Sequence, residues 1–278
     1  MRSTPDQSVT GNEDRWVLFN REFSDGSPIV VVGRAGNSLI NERLATSHLT
    51  IVDCIAEDDL VNDWGMPQHT DRLYAIEDKL SEKLEALPGQ AFHIASVTGN
   101  GARRIFFLHD EPVDFSTIIS GLAAEGYRFA SSAAAYSEKL HNLIVPNAVD
   151  CQLDADRQVI ASLSENGDDV DTPRKTDFWF FGNSTSLKGL AADLEPWGFN
   201  IDRWMTEESG AVLTCQTSVN LTSFQQLTPV LVAAAEKRQV VYDGWETVVV
   251  GSDGIVSESE QFQKPTSMFT KLFGAKKN

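Results

Sequence analysis

The stretch that most restricts what this chain can become covers residues 235–250, Ala-Glu-Lys-Arg-Gln-Val-Val-Tyr-Asp-Gly-Trp-Glu-Thr-Val-Val-Val. It reads as the end of an amphipathic helix running into a strand, with a break at Tyr242-Asp243-Gly244-Trp245. Asp-Gly is ordinarily turn chemistry, because glycine enters positive φ with no Cβ to clash. Here β-forming residues flank it on both sides, at 240–242 and at 245–250. A glycine so placed marks a bulge, or a point where another backbone comes close, more often than a full reversal. No catalytic constellation lies within the stretch.

The residues before it organise into two halves. A polar lead over 1–14 is expected to be disordered. Strands at 16–19 and 28–33 are joined by the turn residues Ser24-Asp25-Gly26-Ser27, which predicts a hairpin. A third strand is expected at 48–56, followed by an acidic segment and a loop at Trp64-Gly65-Met66-Pro67. Between 71 and 87 the apolar positions Leu73, Ile76, Leu80, Leu84 and Leu87 fall three and four apart, the stripe of a half-buried helix. Pro88-Gly89 stops it. Asn100-Gly101 between β-rich runs at 91–97 and 103–109 signals a second hairpin. Asp114 caps a second helix expected to reach 125, and 136–145 reads as a last strand. The first half, 15–147, is thus an α+β domain: an antiparallel sheet with two helices.

The second half, 150–254, has a simpler order. A helix is expected at 154–165, a strand at 176–181 and a helix at 185–194 capped by Ser184 or Thr185. A strand led in by Trp197-Gly198-Phe199 runs to 204, and another spans 211–219. A helix at 223–238 tolerates Pro229 in its early turns, and the 235–250 stretch closes the order. After the first helix this is β-α-β-β-α-β, the split βαβ pattern of a ferredoxin-like domain. One sheet face is covered by helices and the other is open. Alternation along Phe178-Trp179-Phe180-Phe181 sends aromatics to both faces, so the open one needs cover from the first domain, a second copy or a partner.

The chain carries a net charge of −17. Residues 12–145 hold 11 Lys/Arg against 20 Asp/Glu, and residues 150–254 hold 7 against 17. Both halves are therefore acidic, which argues against direct binding to nucleic acid backbones; such a body ordinarily means only solubility, and its functional reading is a docking surface for a basic partner. Residues 255–278 reverse the sign, with 4 basic against 2 acidic. There Phe269, Leu272 and Phe273 lie among lysines at helical spacing, a basic amphipathic tail that reads as a docking helix, a weak membrane-surface binder or a helix packing on its own body. Cys54, Cys151 and Cys215 are far apart with no CxxC pair, so buried reduced thiols are expected. No apolar run reaches ~18 residues, and neither a transmembrane segment nor a leader is read; the expected location is cytoplasmic. The five histidines lack metal-ligand spacing, and the acidic turns at 57–63 and 168–171 lack the order of a calcium loop. Gly33-Arg34-Ala35-Gly36-Asn37-Ser38 lacks the Lys-Ser/Thr ending of a phosphate loop and reads as a turn.

Three features of the second half carry a resemblance. They are the Glu165-Asn166-Gly167-Asp168-Asp169 turn, the Trp197-Gly198-Phe199 entry to a strand, and the Tyr242-Asp243-Gly244-Trp245 break. From about 156 to 250 the chain resembles the B-type regulators of ribonuclease E activity. From about 15 to 136, on Trp16, the Asp25-Gly26 hairpin and the element order, it resembles the unknown-function domain family numbered 695. The first resemblance implies a small acidic cytoplasmic protein that binds ribonuclease E and inhibits its action on RNA, with no cofactor and no catalytic residue; the acidic surface, for its part, suits a basic segment of that or another RNA-processing protein. The fused first domain is a departure from the small regulators. Candidate interaction or fold-motif residues are Asp168, Asp169, Trp179, Phe181, Tyr242, Asp243, Gly244 and Trp245. Two other classes stay open: a hydrolase-like enzyme with a cleft between the domains, drawing on carboxylates such as Asp53 and Asp243, and a structural homo-oligomeric module.

Overall fold

The computed structural model describes residues 14–36, 38–85, 91–205, 209–251 and 256–257, in two units that divide between Asp150 and Cys151. In the first unit, β1 (Arg15–Glu22) and β2 (Pro28–Ala35) form the expected antiparallel hairpin, burying Val17, Phe19, Ile29 and Val31 by simple alternation. The run read as a turn at 33–38 is corrected. Gly33, Arg34 and Ala35 complete β2 opposite Val17, Trp16 and Arg15, and Ser38 opens the unanticipated α1 (Ser38–Leu44). Ile40 and Leu44, four apart, bury one face of that helix, a signal too short to register as periodicity.

β3 (His48–Ala56) stands where it was expected, and so does α2 (Thr70–Glu85) with Leu73, Ile76, Leu80 and Leu84 buried. Leu87 and Pro88-Gly89 lie outside the described residues. β4 (Phe92–Gly99) and β5 (Ala102–His109) are joined by Asn100 and Gly101 at φ 51° and 67°, the left-handed pair a two-residue hairpin requires. Asp114 caps α3 (Phe115–Ser120) through the Thr117 N–H as predicted, but Gly121 closes that helix well before 125.

The strand expected at 136–145 is a helix, α4 (Glu138–Ile144), because the Ser137 hydroxyl accepts the Leu140 N–H and starts a turn there. The true last strand is β6 (Tyr127–Ala134), rich in Ala and Ser. Its own propensity is poor; pairing with β3 along its whole length makes it a strand. The six strands run β1-β2-β4-β5-β3-β6, every neighbour antiparallel. Val52, Cys54, Ala56, Ile105 and Phe107 meet the α2 stripe and Phe115 in one core.

α5 (Ala148–Glu165) begins six residues earlier than read from its apolar positions. Asn147 Oδ1 accepts the Asp150 N–H at 2.9 Å and the Asp150 carboxylate accepts the Asn147 N–H at 2.9 Å, a reciprocal cap that draws the polar start into the helix. There follow β7 (Arg174–Phe181), α6 (Ser184–Leu194), β8 (Asn200–Met205), β9 (Gly210–Thr217), α7 (Leu221–Arg238) and β10 (Val241–Thr247). Two short strands, β11 (Val249–Val250) and β12 (Val256–Ser257), pair with each other. The cap of α6 is Asn183, not Ser184 or Thr185, and Asn220 caps α7. Pro229 lies in the third turn of α7, deeper than expected, so the Gln225 carbonyl has no N–H from residue 229 to accept.

The predicted element order is present, with sheet order β10-β7-β9-β8 and antiparallel pairing throughout. Ile160 and Leu163 of α5, Leu187, Leu190 and Leu194 of α6, and Phe224 and Leu231 of α7 converge on Phe178, Phe180, Ala211 and Leu213. All three helices therefore cover one face of this sheet.

Candidate functional site

The break in β10 is a bulge, as glycine between β-formers predicted. Tyr242 lies opposite Phe180 and Trp245 opposite Phe178, so three residues of β10 span two of β7, and Gly244 takes φ 100°. The extra residue has a packing consequence. Residues three apart on a regular strand face opposite sides; here both aromatics face the helices. Tyr242 stacks on Phe180 with centroids 5.0 Å apart, and Trp245 lies 4.5 Å from Phe224.

Under Trp245 is a group the sequence reading missed. Asp156 of α5 is almost fully buried, and its Oδ1 accepts hydrogen bonds from Trp245 Nε1 at 2.9 Å and Gln152 Nε2 at 3.0 Å. Its Oδ2 accepts from Thr228 Oγ1 at 2.6 Å. Burial raises the Asp156 pKa above the ordinary carboxyl range, and the three donors only partly oppose that. The Tyr242 hydroxyl is also buried, with no hydrogen-bond partner among the described residues, and its pKa is pushed far up, first by burial and then by the charge of Asp156. The legible signal was a carboxylate in an apolar register: Asp156, Ile160 and Leu163 share one face of α5, as Phe224, Thr228 and Leu231 share one face of α7.

Asp168 and Asp169 act on the chain's own backbone. Asp168 is buried and paired with Arg174 at 2.5 Å, and its other oxygen accepts the Val250 N–H. The Asp169 N–H donates to the Val250 carbonyl at 2.7 Å, and its carboxylate takes the Thr172 hydroxyl, which with the Asp171 and Thr172 backbone lowers its pKa. The acidic turn therefore holds β11. Arg174 Nε and Nη1 are buried without a hydrogen-bond partner among the described residues.

Trp179 faces away from the helices, with the Arg203 guanidinium 4.9 Å from its ring centroid. On that side run Lys175–Asp202 at 2.7 Å, Arg203–Asp202 at 2.8 Å and Arg203–Asp177 at 3.6 Å. Phe181 is buried at the end of β7, and Asp243 sits in the bulge. The predicted residues thus separate into a core pair, a turn and an opposite face. Phe269, Leu272 and Phe273 lie outside the described residues.

The first unit has a polar seam under α2. A register shift between His93 and Ala95 turns His93, Ser96 and Thr98 to the same side. His93 Nε2 lies 2.9 Å from Ser96 Oγ and 3.7 Å from Glu77 Oε1. Arg103 donates to Glu77 at 2.6 Å and to Thr98 at 2.7 Å. The hydroxyl and the carboxylate meet the same ring nitrogen, whereas a nucleophile relay needs them on opposite nitrogens. Ser96 is also wholly buried. Burial, reinforced by Arg103 and opposed by Glu77, lowers the His93 pKa to about 4, so the ring is neutral at pH 7. Asp53, named as a candidate carboxylate, pairs with Arg104 at 3.4 Å.

Other chemistry is sparse among the described residues. No group of three or more His, Cys, Asp or Glu could hold a metal ion, and no helix is long and apolar enough to cross a membrane. Burial pushes the Cys54 thiol up to about 12 and Cys215 to about 11, so both stay protonated. A shallow cleft of about 760 Å³ between α3 and β6 is lined by Ile119, Leu122, Ala124, Tyr127 and Phe129.

These observations define a two-unit α+β protein whose buried polar groups tie its own elements together. Comparison with family models places each unit. Residues 25–137 match a family of unknown function (DUF695), and residues 153–247 match the family Regulator of ribonuclease activity B (RraB). Both resemblances read from the sequence are borne out. No curated protein matches the chain.

Proposed function

We propose that this chain is a non-enzymatic regulator in RNA turnover, whose ferredoxin-like second unit binds a basic segment of a ribonuclease or another RNA-processing protein. One observation carries the reading. The match over 153–247 runs from within α5 to the end of β10, so the four-stranded sheet and the helices that cover it, and not an isolated motif, agree with the regulator family. Acidic charge in both halves supports it, since electrostatic complementarity speeds the encounter with a basic segment. The buried polar clusters support it too, because each braces a helix or turn against a sheet.

The test uses the full chain. It is immobilised, exposed to cell lysate at low and moderate salt, and then titrated into an RNA-cleavage assay with purified ribonuclease E. The expected outcome is recovery of a ribonuclease or RNA-associated protein at low salt, less at moderate salt, and slowed cleavage. Recovery of none, with unchanged cleavage, sinks the proposal.

A further inference from the structure

β8 is an edge of the second unit's sheet: its one partner among the described residues is β9. Residues 200–204 are all exposed. Among them are two large apolar side chains, Ile201 and Trp204, at 44% and 41% exposure, with Trp197 at 56% three residues before the strand. A one-residue bulge sets their direction. Ile201 lies opposite Leu213 and Trp204 opposite Ala211, both core residues under the helices, so the two apolar residues share the helix side. Asp202 reaches Lys175 and Arg203 lies over Trp179, so the two charges share the opposite side. An unpaired edge that displays large apolar groups is a template for another strand.

The order Ile201-Asp202-Arg203-Trp204 identifies that strand. It reads apolar, acid, base, apolar, and an antiparallel copy of itself meets it in kind. With a two-fold axis between Asp202 and Arg203, each Ile201 lies opposite a Trp204 and each Asp202 opposite an Arg203. Apolar meets apolar on the helix side, and acid meets base on the other. Shifting the sum of paired residue numbers by one in either direction sets Asp202 against Asp202 or Arg203 against Arg203. Like charges directly opposite are destabilising, so one register is selected. The two charged residues of the strand cancel, so this edge has no local preference for a basic segment of another protein.

We propose that β8 is a homodimer interface, in which two chains pair antiparallel through this strand and join their four-stranded sheets. The pairing is isologous, as a closed two-fold dimer requires. It is independent of the regulatory reading, which can fail without affecting it.

Light scattering on the full-length chain over a concentration series tests it. The expected mass rises from the 30.6 kDa of one chain towards twice that value. Asp202→Arg sets Arg against Arg, and Arg203→Asp sets Asp against Asp; each is expected to weaken the dimer by about tenfold or more. Mixing the two variants sets Arg against Asp at both positions and is expected to restore a heterodimer. The double swap Asp202→Arg/Arg203→Asp is expected to restore a homodimer. Rescue by mixing separates pairing from loss of the internal Lys175 contact, which mixing cannot repair. Wild-type monomer at every concentration, a dimer untouched by either single substitution, or failure of both rescues overturns the proposal.

Discussion

Asp156 and His93 are buried groups whose charged forms are disfavoured by burial, and both give measurable consequences. Asp156→Ala leaves the Trp245 N–H and the Thr228 hydroxyl buried without their acceptor. The expected loss is about 3 kcal/mol, read from urea denaturation followed by tryptophan fluorescence. Asp156→Asn tests the charge. A carboxyl whose folded pKa is raised contributes most below its unfolded value, near 3.8, and loses that contribution as pH rises through the folded value. The stability of Asp156→Asn relative to wild type should therefore climb across that rise and then level. A fall would show that the carboxylate is favoured in the fold. His93 has the opposite sign. Its pKa is lowered from 6.5 to about 4, so its contribution is complete above 6.5 and is lost as pH falls towards 4. The span is worth at most about 3 kcal/mol. His93→Gln should flatten the stability profile between those pH values; an unchanged slope would assign it to other groups.

At the scale of elements, three bulges do the same job. His93 and Ser96 in β4, Ile201 and Trp204 in β8, and Tyr242 and Trp245 in β10 are each three residues apart, and each pair is turned to one face by a single register shift. Period-two reading assigns such pairs to opposite faces, which is why the polar seam, the apolar edge and the Asp156 cluster were not legible as groups. The β10 bulge alone had a local sign, because Gly244 offered positive φ between β-formers. Gly244→Ala tests how much that conformation contributes. Nothing lies within 4 Å of an added Cβ, so any cost is backbone strain at φ 100°. A loss of about 1–3 kcal/mol is expected by thermal or chemical denaturation. No loss would mean that the bulge does not depend on glycine. Caps divide likewise. Asp114 was readable, whereas the Ser137 cap of α4 and the Asn147–Asp150 exchange at α5 became evident only with the backbone folded around them.

At the scale of the whole molecule, the dominant quantity is a net charge of −17, distributed over both halves. If the regulatory reading holds, capture of a basic partner should weaken steadily between low and moderate salt, because exposed charges are screened beyond about 8–10 Å at 0.1–0.15 M. Salt-independent recovery, measured by quantitative mass spectrometry, would point to apolar contacts instead. The division into two α+β units, the second unit's element order, the α2 stripe and both hairpins were already determined by the sequence. Those features depend on local turn chemistry and on periodic burial, which neighbouring residues encode. Tertiary structure decided the rest. β6 became a strand because β3 paired with it, residues 138–144 became helical because Ser137 capped them, and Asp156 acquired its role from donors 72 and 89 residues away. Periodicity can mark Asp156 and Thr228 as inward-facing, but no local pattern encodes which groups meet, so those contacts exist only once the sheet and its helices have closed over one another.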